Sequence, residues 1–190
     1  MNKNMNKNTN KKQTNIYTDG ACAGNQSDSN LGGWGAVLEY GAHRKEVWGA
    51  ERDTTNNRME MKALVGALGA LTRDGLAINV FSDSSYLMEC FRKKWYVKWR
   101  ANGWLTAKKE PVENRDLWET LLPYLDLHDI NFYRVKGHVS LSGTAAQLGK
   151  VYGKFKEWNG EDFSYEDFLH VTEMNNLCDE LANKGIDSLR

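Results

Sequence analysis

Four acidic residues lie where a carboxylate is chemically conspicuous. Asp19 and Asp83 each end an apolar run that is typical of a β-strand. Glu60 falls in the first turn of a predicted helix, at the border of its apolar stripe, and Asp179 flanks the stripe of another helix. A charge at the margin of a buried face costs free energy unless a cation neutralises it. Each acid singly has an ordinary alternative, as a turn, capping or helix-dipole residue.

The elements predicted around these acids would bring them together. Sequence periodicity predicts strands at 14–20 and 76–83, two strands joined by a hairpin turn within 32–51, and an amphipathic helix at 57–72. A meander followed by strand–helix–strand indicates a mixed α/β sheet. Because open sheets of this kind bind ligands beyond the carboxyl ends of their parallel strands, Asp19 and Asp83 are expected at one edge.

The second half of the chain is predicted to be mostly helical. Helices are expected at 84–95, from Pro111 and Glu113 to about Leu122 with a stop at Pro123, at 145–158, and over 171–181 with an end signal at Gly185. The last strand is expected at 129–136. Ser164 and Asp167 have the spacing of a capping box, which would open the final helix earlier.

Four carboxylates at one sheet edge would repel one another and raise their own pKa values. Divalent cations remove that difficulty. Hard carboxylate oxygens suit Mg²⁺ or Mn²⁺ rather than zinc. The acids therefore predict a divalent-metal site.

Four sequence strings carry a resemblance to a known family. They are, in chain order, "YTDGACAGN" (17–25), "TTNNRMEMKAL" (54–64), "VFSDSSYL" (80–87) and "CDELAN" (178–183). Together they resemble type 1 ribonuclease H over about 14–138 and 174–185. The resemblance implies an α/β ribonuclease H-like fold, in which helices flank a five-stranded mixed sheet and a basic helical handle projects. One such domain is expected over 14–190, after a disordered Asn/Lys leader at 1–13.

The activity implied by this resemblance is hydrolysis of the RNA strand of RNA–DNA hybrids, with 5′-phosphate and 3′-hydroxyl ends as products. Asp19, Glu60, Asp83 and Asp179 fall on the family's metal-binding carboxylates, with Asp19 the expected bridge between two Mg²⁺ ions, which Mn²⁺ may replace. One ion would activate the attacking water and the other would stabilise the leaving 3′-oxygen. His138, in "KGH", matches the family's mobile catalytic histidine; a surface-loop histidine is the alternative.

Substrate contacts are also implied by the resemblance. Gly20 and Cys22 lie where the family approaches the RNA ribose, whose 2′-hydroxyl separates RNA from DNA. Thr55 matches a contact to the DNA phosphate. The matches to the family's minor-groove residues are Asn25, Asn56 and Asn57, with Ser85 where many relatives carry Gln. Plain turn chemistry is the alternative for the asparagines, and the glycine turn after Asn25 is lengthened to "QSDSNLGG".

A basic, Trp-rich segment matches the family's handle. Seven basic residues and no acidic ones stand between Arg92 and Lys109. Cations attract phosphates without regard to sequence, and indole rings can lie against sugars. The expected substrate contacts here are Trp95, Lys98, Trp99, Arg100 and Trp104. The alternative is a solvated basic face whose Trp rings pack into the core.

An insertion separates His138 from Asp179. The family reaches its last acid soon after "KGH", whereas this chain carries some thirty further residues, which we interpret as a helical insertion at about 139–170. The insertion is locally acidic, with three basic and six acidic residues from Val139 to Glu173. It is expected to pack beside the active-site edge.

Composition excludes few functions but is consistent with this interpretation. The formal net charge is zero and 41% of the residues are hydrophobic, which is ordinary for a globular protein. No apolar run reaches the length of about 18–20 residues that spans a bilayer. The three cysteines have no metal-binding spacing, which favours reduced thiols in the cytoplasm. A monomer is the default expectation, and an RNA–DNA hybrid the expected partner.

Two other functions fit parts of the pattern. One is a catalytically silent protein that binds hybrids or duplexes, against which the retention of all four acids argues. The other is a two-metal nuclease that acts on DNA, against which the string "TTNNRME" argues.

Overall fold

The computed structural model describes residues 13–24 and 30–190, so residues 1–12 of the predicted leader and Asn25 lie outside the described residues. Its strands are β1 (Thr14–Ala23), β2 (Leu31–Tyr40), β3 (His43–Arg52), β4 (Ala77–Ser82) and β5 (Asp129–Arg134). They form one sheet in the order β3-β2-β1-β4-β5. This confirms the predicted five-stranded mixed α/β sheet.

The strand register places two of the acids side by side. The first three strands form an antiparallel meander, and β1, β4 and β5 are parallel neighbours. The last pair between β1 and β4 joins Thr18 to Ser82. Asp19 and Asp83 follow directly, so both acids lie at the carboxyl-end edge of the sheet, as the sequence predicts.

Across residues 13–24 and 30–190, six helices accompany the sheet. They are α1 (Asn56–Gly69), α2 (Ser85–Arg92), α3 (Trp95–Ala101), α4 (Arg115–Leu127), α5 (Ala145–Asn159) and α6 (Tyr165–Asp187). Ser164 and Asp167 form the predicted capping box at the start of α6. Among the described helices, none is long and apolar enough to cross a membrane.

The predicted helix at 84–95 is in fact two helices. The first ends at Arg92, because Lys94 adopts a left-handed backbone conformation with φ of 51°. A residue other than glycine rarely adopts that backbone conformation, and it cannot continue a right-handed helix. The second helix, α3, begins at Trp95 and starts the handle in a new direction.

Two predicted helix ends are wrong. Helix α4 begins later than predicted, at Arg115, and continues through Pro123 to Leu127. Proline removes one helical hydrogen bond, and burial of the adjacent Leu121 and Leu122 offsets that loss. Gly185 lies inside α6 rather than after it. A Cβ at this position would overlap the backbone of β3, so the glycine permits a close contact instead of ending the helix.

The sheet has an apolar core on each face. On one face α1, α2 and α4 cover Ile16 and Val80. On the other face, Phe155 of α5 and Phe168 of α6 belong to the core that contains Phe81. The insertion therefore supplies aromatic side chains to the second core, and it packs against the sheet.

Helix α6 packs against β2 without intervening side chains. A Cβ at Gly33 would overlap the carbonyl oxygen of Ala182, and one at Gly35 would overlap that of Cys178. Glycine is required at both positions because of this close approach. The contact fixes the distance between α6 and the sheet, and so the position of Asp179.

We expect Gly33→Ala to destabilise the fold. The added methyl group must push α6 away from β2, and overpacking of this kind costs about 1–3 kcal/mol. Urea unfolding would measure the loss. The matched control is Gly153→Ala in α5, where a Cβ meets no atom within 4 Å and the free energy of unfolding should rise by up to about 1 kcal/mol. Equal effects of the two substitutions would contradict the proposed packing.

Candidate active site

Three of the four predicted acids converge at the sheet edge. Asp19, Glu60 and Asp83 each offer a carboxylate oxygen within 4.8 Å of the other two. Asp19 is 4% exposed and Glu60 is 8% exposed. Because α1 begins at Asn56, Glu60 lies in the second turn of the helix rather than the first. It still faces the sheet, so the three carboxylates form one compact, largely buried cluster.

Two glycines allow this close approach. A Cβ at Gly20 would overlap the backbone nitrogen of Glu60, so glycine there lets α1 contact β1. A Cβ at Gly137 would overlap the carboxylate of Asp83. The two glycines belong to the motifs "TDG" and "KGH", and these contacts explain why neither position carries a side chain.

The carboxylates raise one another's pKa values. Burial raises the pKa of Asp19 to about 8, with further contributions from the charges of Asp83 and Asp179, against a backbone hydrogen bond from Gly20. Burial and the charges of Asp83 and Asp19 raise the pKa of Glu60 well above its ordinary value. Burial also raises the pKa of Asp83, and the charge of His138 partly opposes this. The cluster is therefore suited to bind positive charge, as protons or as metal ions.

Two buried oxygens of this cluster have no hydrogen-bond partner within the described residues: Asp19 Oδ2 and Glu60 Oε2. The Gly20 N–H donates to the other oxygen of Asp19 at 2.7 Å. Unpartnered buried carboxylate oxygens are rare and require an explanation. Hard oxygen ligands at one point, with no donor of their own, fit a divalent cation such as Mg²⁺.

The fourth acid lies beside the predicted histidine. Asp179 Oδ1 is 3.9 Å from His138 Nδ1. The His138 side chain is 77% exposed, whereas that of Asp179 is 32% exposed. His138 has a φ of 54°, and the side chain of Asn176 donates a hydrogen bond to the carbonyl of the next residue, Val139, at 2.9 Å. Asp179 stands outside the compact group of three but is close enough to raise the pKa of Asp19.

Several predicted substrate residues line the same cavity as the acids. A recess of about 290 Å³ is bordered by the three clustered acids and by Gly20, Asn56, Asn57, Ser85 and His138. Thr55 caps α1, its hydroxyl accepting a hydrogen bond from the Arg58 N–H at 3.2 Å. Cys22 is half-buried at the end of β1, and burial raises the pKa of its thiol.

The handle residues divide into two groups. Trp95, Lys98 and Trp99 line a groove of about 870 Å³. Arg100 and Trp104 border a separate recess with Glu119 and Asp126. Trp104 is only 8% exposed and packs into the first core. The structure thus brings the first three residues together and places Trp104 in the core, where little of its indole ring is accessible.

Sequence reasoning missed a buried asparagine next to the site. Asn175 of α6 is 1% exposed, and within the part of the chain that the structure describes neither of its amide atoms has a hydrogen-bond partner. Its amide favours the charged form of Asp83 and so partly opposes the rise in the pKa of that carboxyl that burial causes. The available signal was its spacing from Asp179, which places both residues on one side of a helix.

Comparison with known proteins agrees with this geometry. The family model described as RNase H matches residues 11–148. The chain belongs to the ribonuclease H family. A protein named Ribonuclease H from Moorella thermoacetica is 43% identical over 179 residues, which cover 94% of this chain and 95% of the relative. Ribonucleases H are nucleases, and this chain is therefore an enzyme of that class.

Solved structures show the same fold. The crystal structure of LC9-RNase H1, described as a type 1 RNase H with the type 2 active-site motif, aligns with a TM-score of 0.59 at 25% identity. The alignment covers 83% of this chain and 81% of that one. LC11-RNase H1 in complex with RNA/DNA hybrid aligns with a TM-score of 0.51 at 17% identity, over 93% of this chain and 99% of that one. The predicted type 1 ribonuclease H resemblance is confirmed.

We expect the metal-free protein to lose stability as the pH rises. The pKa of Asp19 is raised in the folded state, from 3.8 to about 8. Its protonated form therefore stabilises the fold at low pH, and that contribution is lost as the pH rises towards 8. Asp19→Asn should increase the free energy of unfolding at pH 8 by about 1 kcal/mol or more, since one pKa unit corresponds to about 1.4 kcal/mol.

Urea unfolding in EDTA between pH 5 and pH 8 would measure this effect. Asp74→Asn is the matched control, because Asp74 is exposed and precedes β4, whereas Asp83 follows the other end of that strand. Mg²⁺ should raise the melting temperature of the wild-type protein more than that of Asp19→Asn. Parallel pH profiles for the wild type and Asp19→Asn would show that the Asp19 carboxyl does not titrate as described.

Proposed function

We propose that this chain hydrolyses the RNA strand of RNA–DNA hybrids by a two-metal-ion mechanism, leaving 5′-phosphate and 3′-hydroxyl ends. The observation that supports this most directly is the convergence of Asp19, Glu60 and Asp83, with two buried oxygens that lack partners. Membership of the ribonuclease H family supports the reaction class. We further propose that the protein acts as a monomer in the cytoplasm.

The acids are proposed to hold the metal ions, with Mg²⁺ the expected species and Mn²⁺ a substitute. Asp19 is the proposed bridging ligand, since it lies on β1, the central strand of the sheet. Asp179 would complete the set from α6. When bound, divalent ions of this kind activate the attacking water and stabilise the negative charge on the leaving 3′-oxygen.

The proposed selection for RNA depends on the residues that surround the acids. Asn56, Asn57 and Gly20 line the recess that contains the acids. Asparagine amides both donate and accept hydrogen bonds, which suits base edges and the ribose 2′-hydroxyl. The hybrid bound by LC11-RNase H1 supports the same substrate class for this chain. Cys22, Thr55, Ser85 and Asn25 are proposed as further contacts, as the resemblance implies.

His138 is proposed to move a proton during the reaction or the departure of product. Its ring is largely exposed and stands 3.9 Å from Asp179, so the carboxylate can orient it. An imidazole titrates near neutral pH, which suits general acid–base chemistry. The hydrogen bond from Asn176 to the Val139 carbonyl restrains the adjacent backbone and leaves the ring itself accessible.

The handle is proposed to bind the DNA strand. Trp95, Lys98 and Trp99 share one groove, where cations attract phosphates and indole rings can contact sugars. Arg100 is proposed as an additional electrostatic contact. The burial of Trp104 favours a structural role for this residue, because little of its indole ring is accessible to substrate.

We expect Asp19→Asn to abolish cleavage of a hybrid while preserving hybrid binding. The substitution removes a metal ligand, and it also removes one negative charge that repels the phosphate backbone. Cleavage in Mg²⁺ should fall by about 100-fold or more, while affinity measured by fluorescence anisotropy should stay equal or rise. Asp74→Asn is again the control, with unchanged cleavage.

The same assay separates the alternative functions. Wild-type protein should cleave the RNA strand of the hybrid and leave a DNA duplex and an RNA duplex intact. Binding of the hybrid without cleavage would instead indicate the catalytically silent protein. Cleavage of the DNA duplex at a comparable rate would contradict the proposed specificity.

We expect His138→Ala to slow turnover far more than it weakens binding. Removal of a general acid–base group reduces rates by about 100-fold, and the exposed ring contributes little to substrate affinity. Steady-state kinetics in Mg²⁺ would separate kcat from KM. His43→Ala, in the exposed turn at the opposite end of the sheet, is the matched control. An unchanged kcat for His138→Ala would refute the proposed role.

A further inference from the structure

Two arginines beside the insertion have no acidic partner in the part of the chain that the structure describes. Arg92 ends α2 and Arg134 ends β5. Arg44, Arg58 and Arg115 each form a salt bridge with a carboxylate, but neither Arg92 nor Arg134 does so within residues 13–24 and 30–190. Burial and the positive charge of Arg134 both lower the pKa of Arg92. Two like charges thus stand close together without compensation, and a bound anion would relieve their repulsion.

The insertion holds both guanidinium groups in place. Asn159 Oδ1 accepts a hydrogen bond from Arg92 Nη2 at 2.8 Å. The guanidinium carbon of Arg134 lies 4.3 Å from the ring centroid of Trp158, at a distance typical of a cation–π contact. Arg134 Nε is buried and has no acceptor within the described chain. The contacts with Asn159 and Trp158 therefore fix the positions of both guanidinium groups.

The pair lies between the handle and the carboxylates. Arg134 is the cross-strand partner of Ser82, which directly precedes Asp83. Lys136, which is exposed, follows Arg134 towards His138. On the other side, Lys93 and Lys94 continue from Arg92 into the handle. Positive charge thus extends from the handle towards the edge that carries the acids.

We infer that Arg92 and Arg134, held by the insertion residues Asn159 and Trp158, form a site for a backbone phosphodiester of the nucleic acid. This inference rests on the proposed function, because the phosphate belongs to the same substrate. The planar guanidinium fork matches two phosphate oxygens. A single phosphodiester would supply the negative charge that the pair lacks. The insertion thereby contributes to substrate binding.

Binding without cleavage tests this site. Fluorescence anisotropy of a labelled RNA–DNA hybrid, with full-length protein in EDTA at several salt concentrations, gives both affinity and its salt dependence. The double variant Arg92→Gln/Arg134→Gln should bind about 10-fold more weakly at about 0.1 M salt, and the slope of log affinity against log salt should fall by about one to two.

A charge-matched variant provides the control. Lys45→Gln/Arg73→Gln removes two positive charges at the opposite end of the sheet, where both side chains border a different recess. Its salt slope should match that of the wild type. A decrease equal to that of the arginine variant would show that only overall charge matters, and would overturn the inference.

Two further variants guard against misfolding and test the fork geometry. Arg92 is exposed, so Arg92→Gln alone should keep the wild-type melting temperature and still lower the slope by about one. Arg134→Lys keeps the charge but lacks the planar fork, and should recover only part of the affinity. If Arg92→Gln and the double variant are folded and both keep the wild-type slope of log affinity against log salt, the phosphate site is refuted.

The two proposals fail in different ways. If the wild type cleaves the hybrid and the double variant binds it as tightly, only the phosphate site is wrong. If the wild type cleaves no hybrid but binds another nucleic acid, the proposed function is wrong, and the slopes measured with that nucleic acid decide the site. Absence of any nucleic-acid binding by the wild type would overturn both.

Discussion

Repulsion between buried carboxylates is the constraint on which the rest of this structure depends. Asp19, Glu60 and Asp83 are forced within 4.8 Å of one another, although their charges favour separation. The parallel pairing of β1 with β4 fixes two of them, and the bare backbone of Gly20 lets α1 bring the third. The packing free energy of the two apolar cores must exceed this repulsion. A metal ion would turn the same arrangement from unfavourable to favourable, which links folding to metal binding.

The sheet and the carboxylate cluster were predictable because local patterns determine them. Alternating apolar residues predict the strands, and an acid that directly follows the parallel-paired part of a strand has only one edge on which to lie. The left-handed Lys94, the continuation of α4 through Pro123 and the burial of Trp104 were not predictable in this way. Each depends on tertiary packing, which can outweigh the local preferences of proline, tryptophan or a helical segment. Asn175 was missed for the same reason, since only the packing of α6 shows that it faces Asp83.

The insertion packs its helices and the sheet into one apolar core. Phe155 and Phe168 belong to the core that contains Phe81. Phe81 directly precedes Ser82 and Asp83 in the chain. The capping box at Ser164 and Asp167 starts α6 early, so that one long helix carries both this aromatic packing and Asp179. The histidine segment lies between β5 and α5, and both of its ends are anchored. The hydrogen bond from Asn176 of α6 to the Val139 carbonyl holds the backbone beside His138, while its imidazole stays exposed.

The side-chain amide of Asn159 in the insertion also covers part of the open edge of the sheet. Asn159 donates to the Arg134 carbonyl at 2.7 Å and accepts from the Arg134 N–H at 2.8 Å, as an adjacent strand would. β5 is an edge strand, and open edges invite pairing with other chains. A single side chain therefore satisfies the exposed backbone groups of Arg134 and protects the sheet against edge-to-edge aggregation. The opposite edge, β3, has charged side chains instead, so the two edges are protected by different physical means.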